Sequence, residues 1–413
     1  MLESSIQVSI ISLLILTFFS YVFRKKILTG WVYIVMLYFM FIPGIFFPVK
    51  EYIGFFNDVS FLNLIIFIFL LFLGFIPWLI FDSWLKKIKF IYLSNKGISV
   101  LNVLIPIIII FSFFSIIYVF PYSLQSLLLG ASEIRGIISD ESVLPPTVLT
   151  TFSVAIAACF PLFVLLFYFS IIDKRLKKYR FFLLISSSVY IFTSMAFTAR
   201  DGLVILPILY IIFYLIFKKT FSITDIKFLK KTLSVIFVIS FLFLINYSVD
   251  RFYNTNSYQT SKTQNFVNGT FGYIFQQPYV FDKTLQYQDN FHGFNLRFPI
   301  LNKIFFIPDK KIERINDFET MFGTMYADFF SINGYVSLFI FALSFSFFYA
   351  IALKYLIRSN RITGIFFLFT IYLYIVISGL FYFRIGNMSF NYLFAFLSLL
   401  PFFMKNIVRV KFK

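Results

Sequence analysis

The chain has 413 residues, of which 60% are hydrophobic, 13% are charged and 66 are phenylalanine, and its formal net charge is +18. Soluble domains carry about 25% charged residues, and disordered chains are polar and highly charged, so the composition excludes both classes. The single cysteine, Cys159, excludes a disulfide scaffold. The composition therefore predicts a polytopic membrane protein.

Eleven apolar stretches follow one another along the chain, and each is predicted to cross the bilayer as a helix. The predicted spans are 5–23, 30–48, 60–81, 98–119, 147–172, 181–198, 203–217, 232–248, 335–353, 363–382 and 389–404. The first stretch lacks a basic start and is followed by basic residues, so we expect a retained anchor and no cleaved signal peptide. The fold class predicted is an all-α polytopic membrane protein with 1–413 as one multi-span domain.

Alternate connections between the spans hold most of the basic residues. These basic segments are 24–26, 86–96, 174–180, 218–231, 354–361 and 405–413. They carry 24 of the 36 basic residues, and the only acidic residues in or beside them are Asp82, Asp173 and Asp225. The positive-inside rule places these segments in the cytoplasm, with the N-terminus outside and the C-terminus inside. The high charge is thus a topology signal and does not indicate a nucleic-acid partner.

Two long connections are predicted on the external side, at 120–146 and at 249–334. Long loops within a compact protein are usually functional or carry structure of their own. The cytoplasmic connections contain no glycine-rich phosphate loop and no Asp-x-Asp pair that could hold a metal–nucleotide. An enzyme that uses a cytosolic nucleotide sugar or ATP is therefore disfavoured, and we expect the chemistry on the outer face.

Arginine is the most informative residue type on the external side, because it stays charged and grips phosphate with a planar fork. The external arginines are Arg135, Arg200, Arg251, Arg297, Arg314 and Arg384. Arg200 precedes the span 203–217, whose 15 residues cover only about 22 Å of a hydrocarbon core of about 30 Å. Charges at such depth are usually functional, although Arg200 and Asp201 could simply pair to hold the turn. Arg384 also lies beside a short span, with contact to lipid headgroups as its alternative role.

A general base is harder to choose from the sequence. His292, the only histidine, has a reference pKa of about 6.5, but a single histidine in a loop is more often ordinary polar surface. The competing carboxylates are Glu133, Asp140, Glu141, Asp201, Asp250, Glu319 and Asp328. The sequence alone does not decide among them.

Two short motifs accompany the predicted arrangement of spans and external loops. One is the turn Thr198-Ala199-Arg200-Asp201-Gly202, and the other is the run from Tyr326 to Gly334 (YADFFSING) at the start of a span. With about eleven spans and a large external loop, the chain resembles the bacterial O-antigen and capsule repeat-unit polymerases of the Wzy type. The run is similar to a Tyr-x-Asp-Phe-Gly-x-x-Gly segment of that family, with Phe330 in place of the first glycine and Gly334 one residue late.

The resemblance implies a glycosyltransferase on the outer face of the bacterial cytoplasmic membrane. A glycan on undecaprenyl pyrophosphate would be the donor, and a second lipid-linked repeat unit would supply the acceptor hydroxyl. It implies no metal and no cofactor, and it suggests a chain-length regulator and a flippase as partners. The predicted pyrophosphate contacts are Arg200, Arg384, Arg135 and Arg297, the candidate bases are His292, Asp328 and Asp201, and the candidate sugar contacts are Tyr273, Tyr279 and Tyr287.

Three other functions remain open at this stage. A lipid-linked oligosaccharide flippase would line a cavity with charges from many spans, whereas these span interiors are nearly free of charge. An O-antigen ligase would depend more on a loop histidine, a role that His292 could fill. A membrane acyltransferase would need a histidine with nearby acids on a span or a cytoplasmic loop, which the sequence does not show.

Overall fold

The computed structural model describes residues 4–46, 59–129, 144–145, 147–197, 199, 201–253, 270–271, 274–287, 291, 293–294, 299–304, 324–380 and 388–413. The structure is mostly helical. Its helices are α1 (Ser4–Phe23), α2 (Trp31–Phe41), α3 (Pro43–Phe46), α4 (Phe61–Leu85), α5 (Asn95–Leu129), α6 (Val148–Ala158), α7 (Phe160–Ile172), α8 (Arg180–Ser187), α9 (Val189–Ala196), α10 (Asp201–Phe217), α11 (Ile223–Tyr253), α12 (Gln277–Tyr287), α13 (Pro299–Ile304), α14 (Met325–Arg358), α15 (Ile362–Gly379) and α16 (Met388–Leu399). Short 3-10 helices cover Lys174–Tyr179 and Leu400–Phe402.

The apolar helices make this a multi-pass membrane protein. Within the described residues, seven helices are long and apolar enough to cross a bilayer, and the pair α6 and α7, bent by 49°, forms an eighth candidate. Three shorter apolar segments cover Trp31–Phe46, Asp201–Phe217 and Leu393–Phe402. Each of the eleven stretches predicted from the sequence coincides with one of these segments.

The structure is consistent with the predicted all-α class and adds one small sheet that the sequence does not indicate. Strands β1 (Ile88–Leu93) and β2 (Val408–Phe412) pair as a two-stranded antiparallel sheet. The two strands lie more than 300 residues apart in the chain, so no turn motif between them indicates the pairing. Lysines interrupt both segments, and a hydropathy scan therefore treats them as plain cytoplasmic connections.

The predicted external loops contain more helix than expected. Helix α5 continues to Leu129, although the first external loop is predicted to begin at residue 120. The buried Ser123 helps to hold this extension, because its Oγ donates to the carbonyl of Phe192 at 2.7 Å. The predicted loop 249–334 contains α12, α13 and the first part of α14.

The chain divides into two compact units, a division that the sequence analysis does not predict. The first unit contains Met1–Ser83, Thr260–Tyr355 and Ile375–Ala395, and the second contains Trp84–Gln259, Leu356–Tyr374 and Phe396–Lys413.

A buried carboxylate joins two helices of the first unit. Asp82, near the C-terminal end of α4, is 0% exposed and accepts hydrogen bonds from the backbone N–H groups of Leu28 (2.7 Å), Thr29 (3.2 Å) and Gly30 (2.9 Å). The hydroxyl of Thr29 also donates to it, at 2.6 Å, and in turn accepts from the indole of Trp78 at 2.8 Å. Gly30 is the N-cap residue of α2, and its N–H has no partner within the helix, so Asp82 caps α2 and holds the two residues before it from a distant part of the chain.

Hydrogen bonds and one ion pair join all five basic segments that belong to the second unit. The sheet connects 86–96 with 405–413. The other links are Arg175 Nη1 to Asn95 Oδ1 at 3.0 Å, Arg180 Nη1 to Asp225 Oδ1 at 3.7 Å, Ile91 N to Thr220 Oγ1 at 3.1 Å, and Asn406 Nδ2 to Asn360 O at 2.9 Å. Segments that the charge pattern assigns to one side of the membrane are therefore neighbours in the fold.

Helix α14 is broken at Asn333 and Gly334. Gly334 has φ +65° and ψ −147°, a conformation that residues with a Cβ rarely adopt. A Cβ at this position would also lie 3.1 Å from the ring of Phe291. The hydroxyl of Ser337 accepts from the freed N–H of Asn333 at 2.8 Å and donates to the carbonyl of Phe329 at 2.7 Å. The run that precedes the break is thus a short helix of its own, leading into the long span.

Candidate functional site

The structure describes only part of the predicted site. Asp201, Asp328, Tyr279 and Tyr287 are among the described residues. The other predicted site residues lie outside them: Arg200, Arg384, Arg135, Arg297, His292, Tyr273, Glu133, Asp140, Glu141 and Glu319. Asp201 belongs to the second unit, and Asp328, Tyr279 and Tyr287 belong to the first.

Asp201 is the first residue of α10, where a carboxylate interacts favourably with the positive end of the helix dipole. The hydroxyl of Tyr190 donates to its Oδ2. The hydroxyl of Tyr374 lies behind, 3.4 Å from that of Tyr190, to which it donates. Asp201 is only partly buried, whereas both tyrosines are inside the unit. The result is a carboxylate near the surface that is oriented by a chain of two buried hydroxyl groups.

Close packing fixes the tyrosine that orients Asp201. The ring of Tyr190 stacks on that of Phe160, with centroids 4.3 Å apart and an interplanar angle of 2°, and the ring of Tyr374 meets both edge-on. Gly202 allows α9 and α10 to approach, because a Cβ there would lie 2.7 Å from Ser194 Oγ. This geometry gives Asp201 a rigid support, which suits both roles considered from the sequence, holding the turn and acting as a base.

The Tyr326–Gly334 run lies at the start of α14. Tyr326 is 1% exposed, and its hydroxyl donates to the carbonyl of Leu70 at 2.7 Å. A Cβ on Gly74 would lie 2.5 Å from that hydroxyl oxygen, so the glycine makes room for the tyrosine. Tyr326 therefore anchors this run to α4, while Asp328, two residues further on, is partly buried.

Helix α12 carries a buried polar cluster that the sequence analysis does not single out. The Oδ1 of Asp282 accepts from the backbone N–H of Ser60 at 3.1 Å and from the amide of Asn63 at 2.8 Å. Its Oδ2 accepts from the amide of Gln286 at 2.8 Å and lies 3.9 Å from Lys283 Nζ. Asp282 is 0% exposed and Lys283 is 4% exposed. Burial raises the pKa of the Asp282 carboxyl, although these four partners oppose that shift.

One side chain of α12, that of Gln277, has no hydrogen-bond partner among the described residues. Gln277 is 0% exposed, and within the part of the chain that the structure describes neither its Oε1 nor its Nε2 has a hydrogen-bond partner. Such a group costs about 1–3 kcal/mol relative to a satisfied one, and an unsatisfied group in a folded protein calls for an explanation. The Asp282–Gln286 spacing of four residues is the one sequence signal that could have indicated this helix.

The two tyrosines predicted to contact sugar differ in exposure. Tyr279 is 1% exposed, and its ring packs edge-on against Phe275, with centroids 5.5 Å apart. Tyr287 is 54% exposed, and the ammonium of Lys283 lies 5.2 Å from its ring centroid. Of these two, only Tyr287 presents a ring surface to an incoming ligand.

The three acidic residues of the basic segments all have structural partners. Asp82 caps α2, as described above. Asp173 forms an ion pair with Arg175 at 2.8 Å, and Asp225 lies 3.7 Å from Arg180. Among the described residues, no group of three or more His, Cys, Asp or Glu side chains is arranged to hold a metal ion.

Comparison with protein-family models, with curated proteins and with solved structures gives no match for this chain. The fold and composition define the class, a mostly helical multi-pass membrane protein.

Proposed function

We propose that the protein is a membrane glycosyltransferase that polymerises undecaprenyl-pyrophosphate-linked oligosaccharide repeat units on the outer face of the bacterial cytoplasmic membrane. The proposal includes eleven spans, an external N-terminus and a cytoplasmic C-terminus. The observation that carries it is the chemical difference between the two ends of α4. Its C-terminal end leads into a basic segment, whereas its N-terminal end contacts the polar helix α12, whose Gln277 amide has no partner among the described residues.

The length of α4 supports this assignment of sides. Its 25 residues extend over about 37 Å, which exceeds a hydrocarbon core of about 30 Å. Asn63 and Asp82 therefore lie near opposite membrane surfaces. Asp82 holds the chain just after the basic residues 24–26, so this end corresponds to the basic, cytoplasmic side. The end at Asn63 is then external, and with it α12, a helix rich in polar side chains.

A helix with buried polar side chains and an exposed tyrosine on the external side suits a carbohydrate substrate. A glutamine side chain offers an NH₂ group with two N–H donors and a carbonyl oxygen that accepts, which matches a sugar hydroxyl or an acetamido group. A buried amide without a partner among the described residues can gain these bonds from a bound group or from water. Gln277 and the exposed ring of Tyr287 lie on the same helix, within the segment that the sequence analysis assigns to sugar binding.

In the proposed reaction, the acceptor hydroxyl oxygen attacks the anomeric carbon of the donor glycan. The bond from that carbon to the pyrophosphate oxygen breaks, and the lipid pyrophosphate leaves with the bonding electrons. Arg200, with Arg384, Arg135 and Arg297, would stabilise the charge on the leaving group. A carboxylate would accept the hydroxyl proton. Asp201 is the candidate best supported by geometry, with Tyr190 as its positioning residue, while Asp328 and His292 remain alternatives.

The test measures glycan length in a host that lacks its own polymerase and supplies the matching repeat-unit pathway. We expect a polymer ladder from the wild-type protein and single capped repeats from Arg200→Ala and from Asp201→Asn. Tyr190→Phe should give a shorter ladder and a shifted pH profile. Asp225→Asn, which removes a carboxylate from the basic side, is the matched control and should leave the ladder intact.

Two results would overturn the proposal. If no glycan reaches the surface without the protein, not even a single repeat, a flippase or a ligase explains the data better. If wild-type protein at normal membrane levels yields no ladder, polymerisation is not its activity. A full ladder from Asp201→Asn would leave polymerisation standing and reduce Asp201 to a structural residue.

A further inference from the structure

The two-stranded sheet lies at the ends of membrane helices. β1 begins three residues after Leu85, the last residue of α4, and ends two residues before Asn95, the first of α5. An extended residue spans at most about 3.6 Å, so both ends of β1 lie within about 11 Å of a helix end. The sheet is therefore held close to the boundary between hydrocarbon and water.

The sheet has a buried face and a charged aromatic face. The buried side chains are Ile88, Ile91, Leu93 and Val408. On the opposite face, which we call the interfacial face, Tyr92, Arg409 and Lys411 are exposed and Phe90 is partly buried, while Lys89 is exposed beside them at the bulge. Tyr92 is paired with Arg409 across the strands, and Lys411 Nζ lies 5.8 Å from the ring centroid of Phe90. Exposed aromatic rings between cationic side chains are typical of surfaces that lie at a membrane interface.

A lysine-rich turn joins the sheet from another part of the chain. Thr220 accepts a hydrogen bond from the backbone N–H of Ile91 at 3.1 Å, which places the preceding residues Lys218 and Lys219 beside β1. The backbone N–H of Lys413 donates to the carbonyl of Lys87 at 2.9 Å. Three basic segments that are far apart in the sequence thus meet at one place.

Their positive charges are close enough to influence one another. Burial and the nearby charges of Lys413, Lys218 and Lys86 lower the pKa of Lys219. The carboxylates of the basic segments in this unit, Asp173 and Asp225, are already paired with arginines. Like charges gathered in this way repel one another, and a bound anion would relieve that repulsion.

We propose that the interfacial face and the Lys218–Lys219 turn form a binding surface for the headgroups of anionic phospholipids. Phosphate groups match the cluster of cations, and the rings of Tyr92 and Phe90, whose centroids are 6.0 Å apart, match the glycerol and upper acyl region beside them. The proposal does not depend on the glycosyltransferase activity, because it concerns the basic side of the membrane.

The experiment uses the full-length protein, purified in neutral detergent and titrated with phosphatidylglycerol or with phosphatidylcholine. Native mass spectrometry counts the bound lipids, and thermal unfolding gives the stabilisation. The test variant is Lys89→Gln/Arg409→Gln/Lys411→Gln. The matched control, Lys227→Gln/Lys230→Gln/Lys231→Gln, removes the same charge from exposed positions of α11 on the same side of the membrane.

Each basic residue near an anionic membrane surface contributes about a fivefold gain in binding, so we expect about a hundredfold weaker phosphatidylglycerol binding from the triple test variant. The control should bind nearly as the wild type does, and Lys89→Arg/Lys411→Arg should retain binding. About 1 M salt should abolish the difference between the two lipids. Equal stabilisation by phosphatidylcholine, equal loss in the control, or equal stabilisation by inorganic phosphate would each overturn the proposal.

Discussion

The two ends of α4 both hold a fully buried aspartate, but they satisfy it in different ways. At the C-terminal end, Asp82 is bound by three backbone N–H groups and the hydroxyl of Thr29. At the N-terminal end, Asp282 of α12 is bound by one backbone N–H group and by the side chains of Asn63, Gln286 and Lys283.

Backbone donors at a helix start must be satisfied in any folded protein, so Asp82 serves the architecture of the first unit. A cluster built from side chains, in contrast, exists only where particular residues occupy particular positions. The cluster at Asp282 lies on a helix whose Gln277 amide has no partner among the described residues. Native proteins break local rules mostly where function requires it. The comparison therefore separates a structural carboxylate from a buried polar cluster on the helix that carries the proposed substrate contact.

The largest effect should come from Asp82→Ala. The change leaves three backbone donors and a hydroxyl buried without an acceptor, at a total cost of about 3–5 kcal/mol. Because proteins are stable by only about 5–15 kcal/mol, we expect little monodisperse protein in detergent by size-exclusion chromatography. Asp173→Asn, at an exposed ion pair worth at most about 1 kcal/mol, is the control. A variant Asp82→Ala with wild-type thermal stability would refute the structural role.

At the other end of α4, Asp282→Asn should destabilise by about 2 kcal/mol, because the new NH₂ group cannot accept the hydrogen bonds that Ser60 and Asn63, or Gln286, donate to the carboxylate. The double variant Asp282→Asn/Lys283→Met should be less destabilised, since the ammonium of Lys283 then no longer remains buried without a counter-ion. Thermal unfolding of the four proteins of this double-mutant cycle measures the coupling. Additive losses would show that the two residues act independently.

The two carboxylates Asp282 and Asp173 should respond to pH in opposite directions. Burial raises the pKa of Asp282, so the folded state binds the proton more tightly, and its contribution to stability falls as pH rises from about 4 through the raised pKa. The hydrogen bond from Arg175 lowers the pKa of Asp173, so its contribution is present above about 4 and is lost as pH falls further. Unfolding temperatures of wild type, Asp282→Asn and Asp173→Asn between pH 3 and 8 test both signs.

The smallest effect on stability should come from Gln277→Leu. Unlike the aspartate variants, it should not destabilise the protein. Replacing an unsatisfied buried amide by an apolar side chain of similar size should leave stability unchanged or raise it by about 1 kcal/mol. The same variant should shorten the glycan ladder if the amide contacts substrate. Gln286→Leu is the matched control, because its amide already bonds to Asp282 and Lys283, and it should destabilise. A destabilised Gln277→Leu protein would contradict the comparison.

The apolar helices could be predicted well because each helix that crosses a bilayer needs an apolar stretch of its own, which is visible within one segment of the sequence. Each predicted stretch coincides with a helix or a bent helix pair, and even the weak span 203–217 coincides with α10. The run from Tyr326 to Gly334 was correctly located at the entrance to a long span, and the positive φ of Gly334 explains why glycine occupies that position. The arginines of the proposed site stay predictions, since they lie outside the described residues.

The amino-acid sequence alone was enough to identify a multi-pass helical membrane protein, because the length of each hydrophobic stretch and the alternation of charge are properties of single segments. Three features became visible only in the folded chain: residues 88–93 pair with 408–412, Asp82 caps a helix whose N-cap residue lies 52 residues earlier, and Asp282 is buried against Asn63. Each of these contacts joins residues that are distant in the chain. Their partners are chosen by packing and by the need to satisfy buried polar groups, and neither leaves a periodic signal in the sequence.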